Sequence, residues 1–269
     1  SSWLAVSAVS RGERPVIAHV ARGKEEEHLM AYRQIEASVK ACYSTWSEDY
    51  YDAYYGAKAP YPPVHREILK RVLTDAGALR VLDAGCGPAS FLRELFGTGM
   101  ELYGFDLTPE MVTEARRVFE RSGLPPQRIW EGSVLDRKSF QPPEIRKRVL
   151  FDAVVCCGVL PHIPKETDST VLGNAKSVLK KGGLLAVEAR NQLFALFTLN
   201  RYSHDFFLHE LVRHSELEQQ AGGDLAALHE TFTDMAGHFR MDLPPVRKGK
   251  RGEPGYDEVL SRTHNPLVL

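Results

Sequence analysis

The stretch Arg80-Val81-Leu82-Asp83-Ala84-Gly85-Cys86-Gly87-Pro88-Ala89 constrains this chain more than any other. An apolar run ends there in a glycine-rich turn, and a helix pattern follows from Ser90 to Leu95. Gly85 and Gly87 can adopt backbone angles closed to other residues and let a ligand approach the main chain. Twenty-one positions beyond Gly85, Asp106 closes a second apolar run that starts at Leu102. Strand, Gly-x-Gly turn, helix, strand and terminal acid together predict a nucleotide-type cofactor cradle. In such a cradle, Asp106 at a strand's carboxyl end accepts both hydroxyls of a ribose.

The alternation continues. The pattern predicts strands at 80–84, 101–106, 129–133, 151–157 and 184–189, and helices at 90–96, 109–121 and 165–179. Thr108 reads as the N-cap of the second of these helices, with Pro109 at its first position. Lys180-Lys181-Gly182-Gly183 reads as a turn before the fifth strand. The strands are apolar on both faces, which predicts a parallel sheet covered by helices on either side. The fold class is therefore α/β, a doubly wound Rossmann-like sheet with an N-terminal helical segment and a helical insert after the fifth strand.

Four segments follow. Residues 1–28 form an extension or a hairpin, with Trp3 to Val9 and Pro15 to Val20 as its strands and Lys24 to His28 as a charged link. Residues 29–79 form a helical lid segment, its first helix at 29–47 with Leu29, Ile35, Val39, Cys42, Tyr43 and Trp46 broadly on one side. Residues 80–190 form the cofactor-binding core, and 191–269 a helical substrate-binding insert and C-terminal segment, with a mobile loop at 242–258.

Two residues separate the candidate cofactors. A dinucleotide turn wants a third glycine where Ser90 stands, and Asp83 would repel a pyrophosphate. An acidic turn suits a cofactor with a positive amine and sulfonium. Here the sequence resembles class I S-adenosylmethionine-dependent methyltransferases. Val81 to Gly87 looks like their first motif and Gly104 to Met111 like their second. Phe151 to Val155 with Val159 to Ile163 resembles their fourth-strand motif, and Leu179 to Leu185 the turn before their fifth strand. The resemblance covers roughly residues 60–190.

The resemblance implies S-adenosyl-L-methionine as cofactor and S-adenosyl-L-homocysteine as product. It places Asp83, Gly85, Cys86 and Gly87 against the methionine part, Asp106 on the ribose, and Leu107 and Met111 near the adenine. Cys157 and Gly158 would line the pocket beside the sulfonium. The third-strand motif usually offers Gly-Asp, whose acid meets the adenine amine. Here it reads Gly132-Ser133-Val134, so Ser133 or the Val134 backbone takes that place. Ala89 stands at a position where the family often has glycine. In that family the region before the first sheet strand often folds over the cofactor, and at least one of its tyrosines is expected to touch it, with Tyr51 and Tyr55 as candidates, against packing of an amphipathic helix.

Methyl transfer from a sulfonium is an in-line displacement, and an oxygen acceptor also needs a base. His162, after the fourth strand, is the first candidate, against a packing role. His204 in the insert is the second. Asn191 leaves the fifth strand at its carboxyl end and can orient an acceptor or cap a helix. The remaining histidines show no metal-ligand spacing, and no metal is expected.

Lys plus Arg total 34 and Asp plus Glu 35, which argues against a nucleic-acid or membrane-surface partner. The densest basic run, Arg247 to Arg251, reads as a solvated loop. Four cysteines without a Cys-x-x-Cys pair predict buried thiols in a reducing, cytoplasmic setting. The start of the chain lacks a signal-peptide pattern, and no apolar run approaches a membrane span. The expected reaction is methylation of a small-molecule acceptor, at oxygen of a sugar or secondary metabolite before nitrogen. A non-catalytic cofactor-binding scaffold and an RNA or protein methyltransferase are the alternatives. Seven strands complete the resembled sheet, but five are legible. The missing hairpin is absent, replaced by residues 3–20, or supplied by a homodimer partner or neighbouring domain that covers the open edge.

Overall fold

The computed structural model describes residues 2–8, 22–45, 49–56, 59, 64–220, 225–241 and 259–267. The chain forms two compact units. The larger comprises Leu4–Ala189 with Lys248–Ser261, and the smaller Ser1–Trp3, Arg190–Arg247 and Arg262–Leu269.

The larger unit is built on a sheet of six strands: β1 (Ser2–Ala8), β2 (Arg80–Ala84), β3 (Glu101–Asp106), β4 (Ile129–Glu131), β5 (Phe151–Cys156) and β6 (Leu179–Arg190). Their order is β1-β6-β5-β2-β3-β4. From β2 to β6 every neighbouring pair is parallel. The continuous apolar strands have the cause expected of them. Val81, Leu102, Ala153 and Val155 enter one core, while Leu82, Ala84, Tyr103, Phe105, Val154 and Cys156 enter a second. Both faces are dry, so neither admits the polar alternation of a half-exposed sheet.

Around the sheet lie α1 (Arg22–Ser44), α2 (Asp49–Tyr54), α3 (Val64–Asp75), α4 (Pro109–Arg121) and α5 (Asp168–Val178). In α4, Met111, Val112, Ala115, Val118 and Phe119 are buried, a one-sided stripe at helical spacing. Among the described residues, no helix is long and apolar enough to cross a membrane. All four cysteines are free thiols, and Cys42, Cys86 and Cys156 are buried.

From β2 the chain runs outward through β3 and β4, then crosses back to β5 and β6. Connections therefore diverge between β2 and β5, which are neighbours. At such a switch point the loops leaving the carboxyl ends part and leave a crevice for a ligand.

Several local expectations are corrected. The helix expected at 90–96 is one 3-10 turn, Leu92–Leu95. It is preceded by Ala89 at φ +61°, a conformation that costs an L-residue roughly 1–2 kcal/mol. Thr108 starts α4 without a side-chain cap bond. Its amide and hydroxyl are instead drawn to Asp106. The Lys180–Gly183 turn is absorbed into β6: pairing runs Phe151 with Leu179, then Ala153 with Leu184, so the intervening residues bulge out. The first helix begins at Arg22, so Lys24 to His28 form its early turns and not a link, and it ends at Ser44.

β1 occupies the edge beyond β6, which places the N-terminal segment where the sheet was expected to lie open. Pro15 to Val20, Trp46, Tyr61 and the 242–258 loop with its basic run lie outside the described residues.

The smaller unit is helical: α6 (Arg201–Phe206), continued by one π turn at Phe207–Leu211, then α7 (His214–Gln220) and α8 (Leu225–Ala236). Asn200 and Ser203 form a reciprocal capping box at the start of α6.

Candidate active site

The crevice at the carboxyl ends of β2 to β5 is a cleft with about 820 Å³ of open space, part of it continuous with solvent. Its floor is the turn after β2 (Gly85 and Gly87) and the end of β3 (Phe105 to Thr108). Its walls come from Gly132 to Leu135, from Cys157 to Val159 and His162, and from one face of α1. That face is Tyr32, Ile35, Glu36, Val39 and Tyr43, positions that a helical period stacks on one side.

The turn is fixed by Asp106. Its Oδ2 accepts the Gly87 amide at 2.8 Å and its Oδ1 the Thr108 amide at 2.9 Å. The Thr108 hydroxyl and the Leu107 amide also bear on this carboxylate, which fixes its position at the floor of the cleft. Gly85 sits at φ +87°, and a Cβ there would come within 2.2 Å of Val159 Cγ2. Gly87, at φ +52°, has no atom within 4 Å of where its Cβ would be, so a ligand can lie against the main chain.

Asp83 is buried beneath this turn, only 3% exposed. Burial, aided by the nearby Asp106 charge, pushes its carboxyl up to about 8. Asp106 is raised by burial too, against the pull of its amide donors. Two carboxylates withdrawn from water at one turn make a site that favours a cation. Burial also raises the thiols of Cys86, Cys156 and Cys157, with Asp83 adding to each, so none is a ready nucleophile.

His162 lies in the wall with both ring nitrogens engaged. Nδ1 is 2.7 Å from the Leu260 carbonyl oxygen, which can only accept, so the proton sits on Nδ1. Nε2 then accepts from the Tyr43 hydroxyl at 2.9 Å. Tyr43 itself packs edge-on against Tyr50, which also lines the cleft.

Of the residues expected to hold the cofactor, Gly85, Gly87, Asp106, Leu107, Met111, Ser133, Val134 and Cys157 all line the cleft. Asp83 and Cys86 do not: Asp83 is buried beneath the turn, and the Cys86 sulfur packs under Gly104 while its amide donates to the Phe105 carbonyl. The tyrosines in the wall are Tyr32, Tyr43 and Tyr50. Tyr51 carries the Arg93 guanidinium over its ring at 4.0 Å. Tyr55 stacks on Tyr51 and is bonded through its hydroxyl to His65 at 3.0 Å. Tyr55 does lie within the electrostatic reach of Asp83 and Cys157, at the acidic end of the turn.

Asn191 and His204 belong to the smaller unit. There Asn191 accepts the Leu193 amide in a local turn at 3.0 Å, the capping role weighed for it. His204 is buried against Phe239 and bonded to Asp205. Glu36 and Tyr43 were missed as site residues. Their only sequence signal was the apolar face of the helix that carries them.

Comparison with known proteins bears on this cleft directly. A family profile described as a methyltransferase domain matches residues 82–185, the segment that supplies its floor and most of its walls. Residues 82–185 belong to the methyltransferase family. The motifs and the parallel sheet of this segment are those expected of a class I, S-adenosylmethionine-dependent methyltransferase domain.

The chain is 34% identical over 137 residues to a ubiquinone biosynthesis O-methyltransferase of Xanthomonas euvesicatoria, covering 51% of this chain and 53% of that one. A protein of the same name from Xylella fastidiosa is 30% identical over 137 residues, covering 51% and 52%. The chain thus spans about half the length of the curated relatives it matches. Among solved structures, an O-methyltransferase family protein from Burkholderia thailandensis aligns with a TM-score of 0.43 at 19% identity, over 61% of this chain and 51% of that one.

The methyltransferase domain fits the cofactor of its family on its own geometry. The glycine turn leaves room against Gly87, Asp106 lines the cleft at the end of β3 where a ribose would lie, and the acids at the turn favour a cation.

Proposed function

We propose that the chain methylates a hydroxyl of an apolar, hydroxylated small molecule with S-adenosylmethionine as donor. The observation that carries this reading is the Tyr43–His162 pair in the same cleft as the Asp106-clamped glycine turn. The O-methyltransferase names of the relatives support oxygen over nitrogen as the acceptor atom. A sugar would call for several polar partners. The cleft beside His162 instead offers Tyr50, Val159, Ile163 and Pro164, which suit an aromatic or otherwise apolar metabolite.

Bound in the cleft, S-adenosylmethionine supplies a methyl group already activated by its sulfonium. Asp83 and Asp106 would hold its positive end and ribose, and the apolar walls exclude water from the transfer. The chain's remaining task is the acceptor's proton. The Tyr43 oxygen receives it as Tyr43 passes its own proton to His162 Nε2. The ring then carries protons on both nitrogens, and the Nδ1–H bond to Leu260 holds it in place.

The test is transfer of labelled methyl from S-adenosylmethionine to a panel of phenols, catechols and sugars. The phenols or catechols are expected to be labelled; labelling confined to the sugars would contradict the acceptor class. Tyr43→Phe should lower kcat by about a hundredfold while the Kd for S-adenosylhomocysteine stays within about twofold. An unchanged kcat would remove the relay.

A further inference from the structure

One wall residue has no part in the reaction proposed above. Glu36, on α1, lines the cleft together with Leu107, Met111 and Val134, apolar residues suited to a flat ring. Its Oε1 accepts a short hydrogen bond from the Ser133 hydroxyl. Ser133 Oγ in turn accepts the Leu135 amide at 3.0 Å. The Ser133 proton is thereby committed to Glu36 and one of its lone pairs to the chain, so the carboxylate is held in one position. Its second oxygen, Oε2, is engaged by none of the described residues. A carboxylate can only accept, and it repels another oxygen.

We infer that Glu36 is the specificity residue for the base of the cofactor: it accepts the exocyclic amino group of a purine and rejects a purine with a carbonyl there. Ser133 is its positioning residue. After Gly132 stands Ser133 in place of an acid, and the helix 97 positions earlier supplies one. The inference rests on the cofactor reading above.

The test compares binding of S-adenosylhomocysteine with that of S-inosylhomocysteine, which differs by oxygen for nitrogen at the purine 6-position. Calorimetry on the full chain is the readout, so no acceptor is needed. The wild type should bind the adenosyl compound at least about thirtyfold more tightly, the scale of one hydrogen bond to a charged group gained against one repelled. In Glu36→Gln, whose amide can donate to the carbonyl, the preference should shrink to about threefold or less. Ser133→Ala keeps the carboxylate but frees it, and should fall between the two. Melting curves establish that both variants are folded. A preference unchanged in both variants overturns the inference. A wild type that binds neither compound defeats the underlying cofactor reading instead, and the two failures are distinct.

Discussion

Gly85→Ala is expected to destroy the cofactor site and to cost the fold more than any other single change in the turn. Two penalties add. The backbone sits at φ +87°, and alanine pays on the order of 1–2 kcal/mol to remain in the left-handed region. The new methyl would also lie 2.2 Å from Val159 Cγ2, well inside contact distance. Valine is branched at Cβ and stiff, so it cannot swing aside within one rotamer. Relief requires moving the turn away from the loop after β5, and that shift breaks the Gly85 and Cys86 amide bonds to the Phe105 carbonyl. A loss of roughly 3 kcal/mol or more is expected. Urea unfolding measures it, with no detectable S-adenosylhomocysteine binding in the protein that remains folded. A variant with wild-type midpoint and affinity would show that the turn is not the cradle.

Asp83→Asn should do the opposite to stability while also weakening binding. With the carboxyl held near 8 in the fold by burial and by Asp106, the folded state binds a proton that the unfolded chain releases near pH 4. Between those values the folded state holds more protons, so the stability of the ligand-free protein falls as pH rises from about 4 to 8. Asparagine carries no charge to desolvate and removes this slope. At pH 8 the variant should be more stable than the wild type by on the order of a few kcal/mol, with little difference near pH 4. Its affinity for S-adenosylhomocysteine, which retains the amine, should fall by about tenfold or more. Thermal melts across pH supply the first half and calorimetry the second. A variant that is no more stable at pH 8 would mean that Asp83 is not withdrawn from water. Such a gain in stability bought by loss of function marks a residue kept for binding.

Local chemistry made the floor of the site legible in the sequence. A strand that must end in a turn against a ligand needs glycine, and a ribose needs an acid one strand over. Gly85, Gly87 and Asp106 therefore appear within 22 residues of one another. The walls were not legible, because they are made by pairs far apart in the chain. Glu36 meets Ser133 across 97 positions and Tyr43 meets His162 across 119. Nothing in the spacing of α1 says which strand end it will cover.

The tyrosines show how fine the limit is. Tyr50 and Tyr51 are neighbours, yet the helix turns about 100° between them. Tyr50 enters the wall and Tyr51 lies under Arg93. Asn191 and His204, chosen because they follow the last strand, lie in the smaller unit and make local hydrogen bonds of their own.

The central claim is that this cleft binds the S-adenosyl cofactor through a cation held by Asp83. Calorimetric titration of the wild type with S-adenosylhomocysteine at pH 7, repeated in buffers of different ionisation heat, tests it most directly. A cation at the turn lowers the Asp83 carboxyl from about 8, so binding should be one to one and should release a fraction of a proton to the buffer. Asp83→Asn should abolish that release. Absence of binding, or binding whose heat is the same in every buffer, would contradict the account.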